Sequence, residues 1–184
     1  MPGDKNLGIT LSRTLLPTLP PEYLSRRRLF PMLENEIGGT TFVIAPAGYG
    51  KTTAVAEWAQ QQSRPVIWLT VANADTTNEM SAMLIAATRR VVPGFAPWFE
   101  TDQPMRATEV VRRWGNDLMQ TGKEYVFVLD NLRSSESEDV DIAISLIEQF
   151  PRNIHFVAIR NNEIPGIYGI CASRGPIKVV STND

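Results

Sequence analysis

The sequence has 184 residues, with a single cysteine, Cys171, and a single histidine, His155. One cysteine excludes an internal disulfide, and without a Cys/His cluster there is no zinc or thiol redox site to expect. That pattern suits the cytoplasm, which is the expected location. Charge of one sign is lacking too: 18 Lys and Arg stand against 20 Asp and Glu, for a net charge of −2. With no overall positive field, the segment is expected to make no direct contact with nucleic acid or membrane. No apolar run approaches the roughly 18 residues that a membrane helix needs. The N-terminal stretch MPGDKNLGITLSR lacks the apolar core of a signal peptide. There is no internal repeat, no low-complexity tract and no N-K-x-D guanine-recognition motif.

What is present is enough for one compact domain: an apolar content of 43% in a chain too short for two full domains. Residues 1–39 hold Pro17, Pro20, Pro21 and Pro31 and the basic run Arg26, Arg27, Arg28, so they read as an irregular arm followed by a short helix ending near Gly38 and Gly39. Residues 40–184 alternate apolar strand-like runs with helical periodicity. Strands are expected at Thr41 to Ala45, Val66 to Val71, Tyr125 to Leu129, Ile154 to Ile159 and Ile177 to Val180. Helices are expected from Lys51 to about Gln61, from Thr77 to Val91 behind a Thr76/Glu79 capping box, along the Val110, Trp114, Leu118 stripe, and along Val140, Ala143, Ile144, Ile147. The aromatic, proline-rich stretch Pro93 to Pro104 is expected as an excursion whose Phe95, Trp98 and Phe99 pack on the helices. Such an alternation predicts an α/β fold with a mainly parallel five-stranded sheet covered on both faces, a three-layer arrangement.

The segment Ala45-Pro46-Ala47-Gly48-Tyr49-Gly50-Lys51-Thr52, followed by Thr53, matches the phosphate-loop pattern G-x-x-x-x-G-K-[ST] at every one of its positions but the first glycine. It follows a strand and opens a helix, where successive backbone N–H groups and the helix dipole favour an anion. Ala47, Gly48, Tyr49, Gly50, Lys51, Thr52 and Thr53 are therefore the candidate phosphate cradle. Lys51 would meet the β- and γ-phosphates, and the Thr52 hydroxyl would ligate Mg²⁺. The expected ligands are ATP or ADP with Mg²⁺.

Val126-Phe127-Val128-Leu129-Asp130 supplies the second element such a site needs, an acid at the end of a buried strand, so Asp130 is the second candidate metal ligand. The next residue is Asn131. A neutral amide orients water but cannot take its proton, which points to firm ATP·Mg binding and slow hydrolysis unless Glu136, Glu138 or Asp139 substitutes. Arg160, at the end of the fourth strand, is a candidate γ-phosphate sensor, with a solvated loop arginine as the alternative. His155 in the same strand reads as a core histidine.

APAGYGKTT, the strand ending Trp68-Leu69 with Asp75 beyond it, VFVLDNL, and a strand ending in Arg160 with Pro165 soon after occur in the order seen in the large ATP-binding LuxR-type regulators, which the chain resembles. These are maltose-regulator-like signal-transduction ATPases with numerous domains. Leu24 to Leu29 is similar to the family's R-x-R-L element, and Ala172-Ser173-Arg174-Gly175 to its closing RARG segment. The resemblance covers roughly Leu11 to Asp184. It implies a sheet of the additional-strand ATPase type, with the Arg160 strand between the phosphate-loop strand and the Asp130 strand. It also implies that Arg26 lies near the nucleotide. The family's usual second acid is replaced by Asn131, and its further domains lie outside these residues, so the chain is expected to be a fragment.

The function expected on these grounds is a regulatory ATP·Mg switch with slow turnover. Its expected partners are the nucleotide, downstream domains of the same parent chain, and a second copy on ATP binding. Two alternatives stay open: a P-loop small-molecule kinase, against which the arginine-free Pro93 to Pro104 excursion counts, and a nucleotide-binding scaffold without turnover, which Asn131 favours.

Overall fold

A computed structural model describes residues 10–72, 75–99, 105–132, 146–163, 166–182 and 184. Five strands form one sheet: β1 Thr40–Ile44, β2 Val66–Thr70, β3 Tyr125–Asp130, β4 Ile154–Arg160 and β5 Ile177–Val180. The strand order is β2-β3-β4-β1-β5 and every pairing is parallel. The β4 strand therefore lies between the phosphate-loop strand β1 and the Asp130 strand β3, as the additional-strand arrangement requires. The helices described over their full length are α1 Phe30–Leu33, α2 Lys51–Ala59, α3 Thr77–Val91, α4 Ala107–Gln120 and α5 Ile167–Ala172.

Strands buried on both faces need apolar residues at every position, and the two-residue period sends them alternately to two cores. Phe42, Leu69, Phe127 and Phe156 face α3, α4 and α5, where they meet Leu84, Trp114 and Cys171. Val43, Trp68, Val128 and Val157 face α2 and α1, where they meet Val55, Trp58 and Leu33. His155 is on this second face, fully buried, with its Nε2 3.0 Å from the Thr41 hydroxyl and its ring edge-on to Trp58. Burial drives its pKa down to about 3, so the imidazole is neutral and structural at neutral pH.

The capping box before α3 is formed in both directions: Glu79 N–H donates to the Thr76 hydroxyl at 3.3 Å, and Thr76 N–H donates to the Glu79 carboxylate at 2.8 Å. After α3, Pro93 and Gly94 turn the chain, with Gly94 at φ 76°. Phe95 then enters the core, and the Trp98 indole donates to Asp117 at 2.6 Å under the Arg113 guanidinium. Residues 100–104 of this excursion lie outside the described part, as do most residues of the helix expected around Val140 to Ile147; within the latter, residues 146–149 are helical.

The arm departs from expectation at one point. Its helix does not reach Gly38 and Gly39 but ends at Leu33, because Glu34 turns to an extended conformation (ψ 136°). Asn35 then donates its side-chain amide to Thr40 O and Pro176 O, which joins the arm to β1 and to the entry of β5. Further upstream, the 3-10 turn Leu11–Thr14 lies against β2 and α3. There the Arg13 guanidinium grips the Asp75 carboxylate at both oxygens, and its Nε donates to Thr70 O at 2.9 Å. Gly175, in the turn before β5, passes so close to the Gly38 carbonyl that a Cβ would sit 2.4 Å from that oxygen.

No helix among the described residues is long and apolar enough to cross a membrane.

Candidate functional site

The site stands at the C-terminal ends of β1, β3 and β4, the end of a parallel sheet where strand termini and helix N-termini converge. After Ile44 the chain turns through Pro46 to Gly50 and enters α2 at Lys51. Gly48 and Gly50 both have positive φ, 84° and 71°, a region that residues with a Cβ seldom occupy, and this is why the loop carries glycine there. Gly50 is the N-cap of α2 and offers no side chain to its free N–H groups. The loop is exposed, and the N–H groups of such a helix start suit an anion. Ala45 retains the loop's exit from the strand, with its N–H on Arg160 O at 3.3 Å.

Lys51 bends back over this loop. Its ammonium donates to Ala45 O at 2.7 Å, Pro46 O at 2.9 Å and Asn161 Oδ1 at 3.0 Å. Partial burial lowers its pKa, against the attraction of Asp130. The Thr52 hydroxyl donates to Asp130 at 3.0 Å and 3.3 Å. Asp130 points to the α2 face, in step with Val126 and Val128, and its burial raises its pKa despite donors from Thr52, Asn131 N–H and Thr70 and the charge of Lys51. A buried carboxylate held up in this way is stabilised by a cation, and the pair offers a hydroxyl and a carboxylate, hard oxygen ligands that suit Mg²⁺. No group of three or more His, Cys, Asp or Glu gathers among the described residues. The donors present thus fit an ion that keeps waters and takes phosphate oxygens, as Mg²⁺ does, rather than one enclosed by protein.

Asn131 follows directly, in the left-handed region at φ 64°. Its side-chain amide nitrogen donates to Val71 O at 2.8 Å, across the ends of β2 and β3. The neighbouring acids Glu136, Glu138 and Asp139 lie outside the described residues.

Arg160 is not gathered into this group. The period of β4 places it on the face of Phe156 and Ala158, opposite to that of Asp130. It is 2% exposed there, and its Nε and Nη1 have no hydrogen-bond partner among the described residues. Burial lowers its pKa to about 10, against the pull of Tyr168. Asn161, the next residue and of opposite parity, reaches Lys51 instead. Asn161 was not among the expected site residues, and its parity, opposite to that of Arg160, is the signal for it in the sequence.

The arm closes the site from the other side. Arg26 donates from Nη1 to Tyr49 O at 2.8 Å, and its guanidinium would be 3.8 Å from a Cβ on Gly50. A cleft opens beside the loop. Its walls include the apolar Leu29, Leu33, Val55 and Val180, and its rim Arg26, Arg28, Lys51, Ser181, Thr182 and Asp184.

No family model and no curated protein matches this chain. Solved structures do. A chain of the Drosophila ORC structure bound to AT-rich DNA and Cdc6 superposes with a TM-score of 0.58 at 15% identity, over 84% of this chain and 53% of that one. The Aeropyrum pernix ORC1 protein in complex with DNA superposes with a TM-score of 0.60 at 16% identity, over 88% of this chain and 46% of that one. This chain therefore spans about half the length of either. At such identities the likeness shows the fold alone, an α/β arrangement on a five-stranded parallel sheet, as expected from the sequence. It also corrects one expectation. Near-neutral charge led to the expectation that this segment makes no direct nucleic-acid contact, but both solved chains of this fold are in structures with DNA, and that expectation does not stand.

Proposed function

We propose that the chain is an ATP·Mg-binding switch domain of a LuxR-type transcriptional regulator, in which the occupancy of the site, more than its turnover, carries the signal. The observation that supports the binding reading best is the convergence of Lys51, Thr52, Asp130 and Asn161 at one end of the sheet, beside an exposed loop that opens a helix. Backbone amides from Ala47 to Thr53 would receive the phosphates, and Lys51 would exchange the Ala45 and Pro46 carbonyls for phosphate oxygens. Thr52 and Asp130 would hold Mg²⁺, whose charge offsets that of the phosphates. Asn161 would steer Lys51. The cleft beside the loop would receive the base, with Arg26 between base and phosphates. The regulator reading is supported by the order of APAGYGKTT, VFVLDNL and the Arg160 strand along the chain.

Slow hydrolysis follows from Asn131, which offers no base at the position beside Asp130. Its amide is also engaged with Val71 O, an observation that favours a second reading, a nucleotide-binding scaffold with no turnover.

Titration of the purified chain with ATP and ADP, with and without Mg²⁺, tests the reading. Wild type is expected to bind both, more tightly with Mg²⁺, and Lys51→Ala to lose binding. A folded wild-type chain that takes up neither nucleotide at millimolar concentration would sink it. Phosphate release then separates switch from scaffold: slow but measurable for the first, none for the second.

A further inference from the structure

Helix α2 carries a carboxylate in a place where a carboxylate is costly. Glu57 lies between Ala56 and Trp58, is 3% exposed, and belongs to the buried side of the helix that begins with the phosphate-loop lysine. A buried charge of this kind persists only if it is matched by donors. All the donors come from one short stretch of the arm. The Ser25 hydroxyl donates to Oε1 at 2.5 Å, the Arg26 N–H donates to Oε2 at 3.2 Å, and the Tyr23 side chain adds a further hydrogen bond. The Arg27 guanidinium is 3.7 Å from Oε1. Burial pushes the pKa of Glu57 up, but these three hydrogen bonds and the Arg27 charge together outweigh it and hold the group below the usual carboxylate range.

Apolar burial does little for this stretch of the arm. Leu24, its one aliphatic side chain, is 79% exposed. Residues 23–27 are held to α2 by this carboxylate. The residue whose backbone it holds is Arg26, the same residue whose side chain reaches Tyr49 O in the phosphate loop and lines the cleft.

We propose that Glu57 is a positioning residue for nucleotide binding: it pins Ser25 and the Arg26 backbone to α2 so that the Arg26 guanidinium is delivered to the phosphate loop. This rests on the nucleotide-binding reading above. Glu57 touches no ligand itself and acts through Arg26. The device ties residues 23–27 of the arm to the helix that carries Lys51 and Thr52.

A double-mutant cycle on the whole chain tests this, with ATP·Mg affinity as the readout. Glu57→Gln and Arg26→Ala are each expected to weaken binding about tenfold, the scale of one lost charge-assisted hydrogen bond. The double variant is expected to bind no more weakly than Arg26→Ala alone, because without the Arg26 side chain there is nothing left for Glu57 to position. Ser25→Ala leaves the helix sequence untouched and is expected to weaken binding in the same direction, so the cycle can be run with it if Glu57→Gln does not fold. Losses that add in the cycle, or wild-type affinity in Glu57→Gln or in its Ser25→Ala replacement, overturn the proposal while nucleotide binding stands. A folded wild-type chain that binds no nucleotide overturns the functional reading first, and this one with it.

Discussion

The side-chain amide of Asn131 donates to the backbone carbonyl of Val71 at 2.8 Å, and so ties the residue beside Asp130 to the chain leaving β2. Asparagine is well suited to this position. It tolerates the φ of 64° found there, and it has a donor where aspartate has none.

Asn131→Asp therefore has two expected effects of opposite value. Placing a carboxylate against the Val71 carbonyl is expected to lower stability by about 1 to 3 kcal/mol, read from urea denaturation. The same change supplies a base beside Asp130, and phosphate release from ATP is expected to rise above wild type. Unchanged turnover in a variant that still binds ATP would mean that the missing acid is not what makes hydrolysis slow.

Asp130→Asn keeps an oxygen for the Thr52 hydroxyl but removes the charge that Mg²⁺ would meet. ATP affinity in EDTA is expected to stay near wild type while the gain on adding Mg²⁺ largely disappears. Paired titrations with and without Mg²⁺ measure the difference. An intact Mg²⁺ effect would show that Asp130 is not the acid that holds the ion.

His155 gives the fold a pH dependence above the carboxylate range. Its pKa is about 3 in the folded protein, against 6.5 for an ordinary histidine. The unfolded chain thus takes up a proton first, so the contribution is full above pH 6.5 and is lost progressively as the pH falls below it, by up to about 1.4 kcal/mol per unit. Denaturation midpoints measured from pH 7 to 5 are expected to fall for wild type and to stay flatter for His155→Gln. Parallel profiles would exclude the histidine as the source.

Two glycines predict opposite signs. Gly175→Ala forces a methyl group against the Gly38 backbone and is expected to cost on the order of 1 to 3 kcal/mol. In α5, the exposed Gly169 has nothing within 4 Å of an added Cβ, and Gly169→Ala is expected to stabilise by about 0.5 to 1 kcal/mol through helix propensity. Thermal melts of the two variants check the pair, and a Gly175→Ala chain as stable as wild type would refute the close approach.

Residues whose role is local were legible in the sequence. Gly48 and Gly50 announce a backbone that needs positive φ, Thr76 and Glu79 announce a cap, and four apolar residues ahead of Asp130 announce a buried strand ending in an acid. The sheet was legible for the same reason, since strands with two buried faces leave continuous apolar runs. For Arg160 the strand end alone was not enough: a strand end has two faces, and the alternation from Phe156 and Ala158 assigns Arg160 to the one away from Asp130. Glu57 was invisible because nothing near it in sequence reveals that its donors come from residues 23–27. Asn131 looked like a defect in a catalytic pair until its backbone conformation and its bond to Val71 gave it work of another kind.

The Arg13 contact has one more consequence. Strand β2 is an edge of the sheet, and an open edge invites pairing with another chain. The 3-10 turn Leu11–Thr14 lies along it, and Arg13 occupies the Thr70 carbonyl that an incoming strand would seek. The arm therefore also acts as a guard against edge-to-edge aggregation, and its removal would endanger solubility before it touched the chemistry of the phosphate loop.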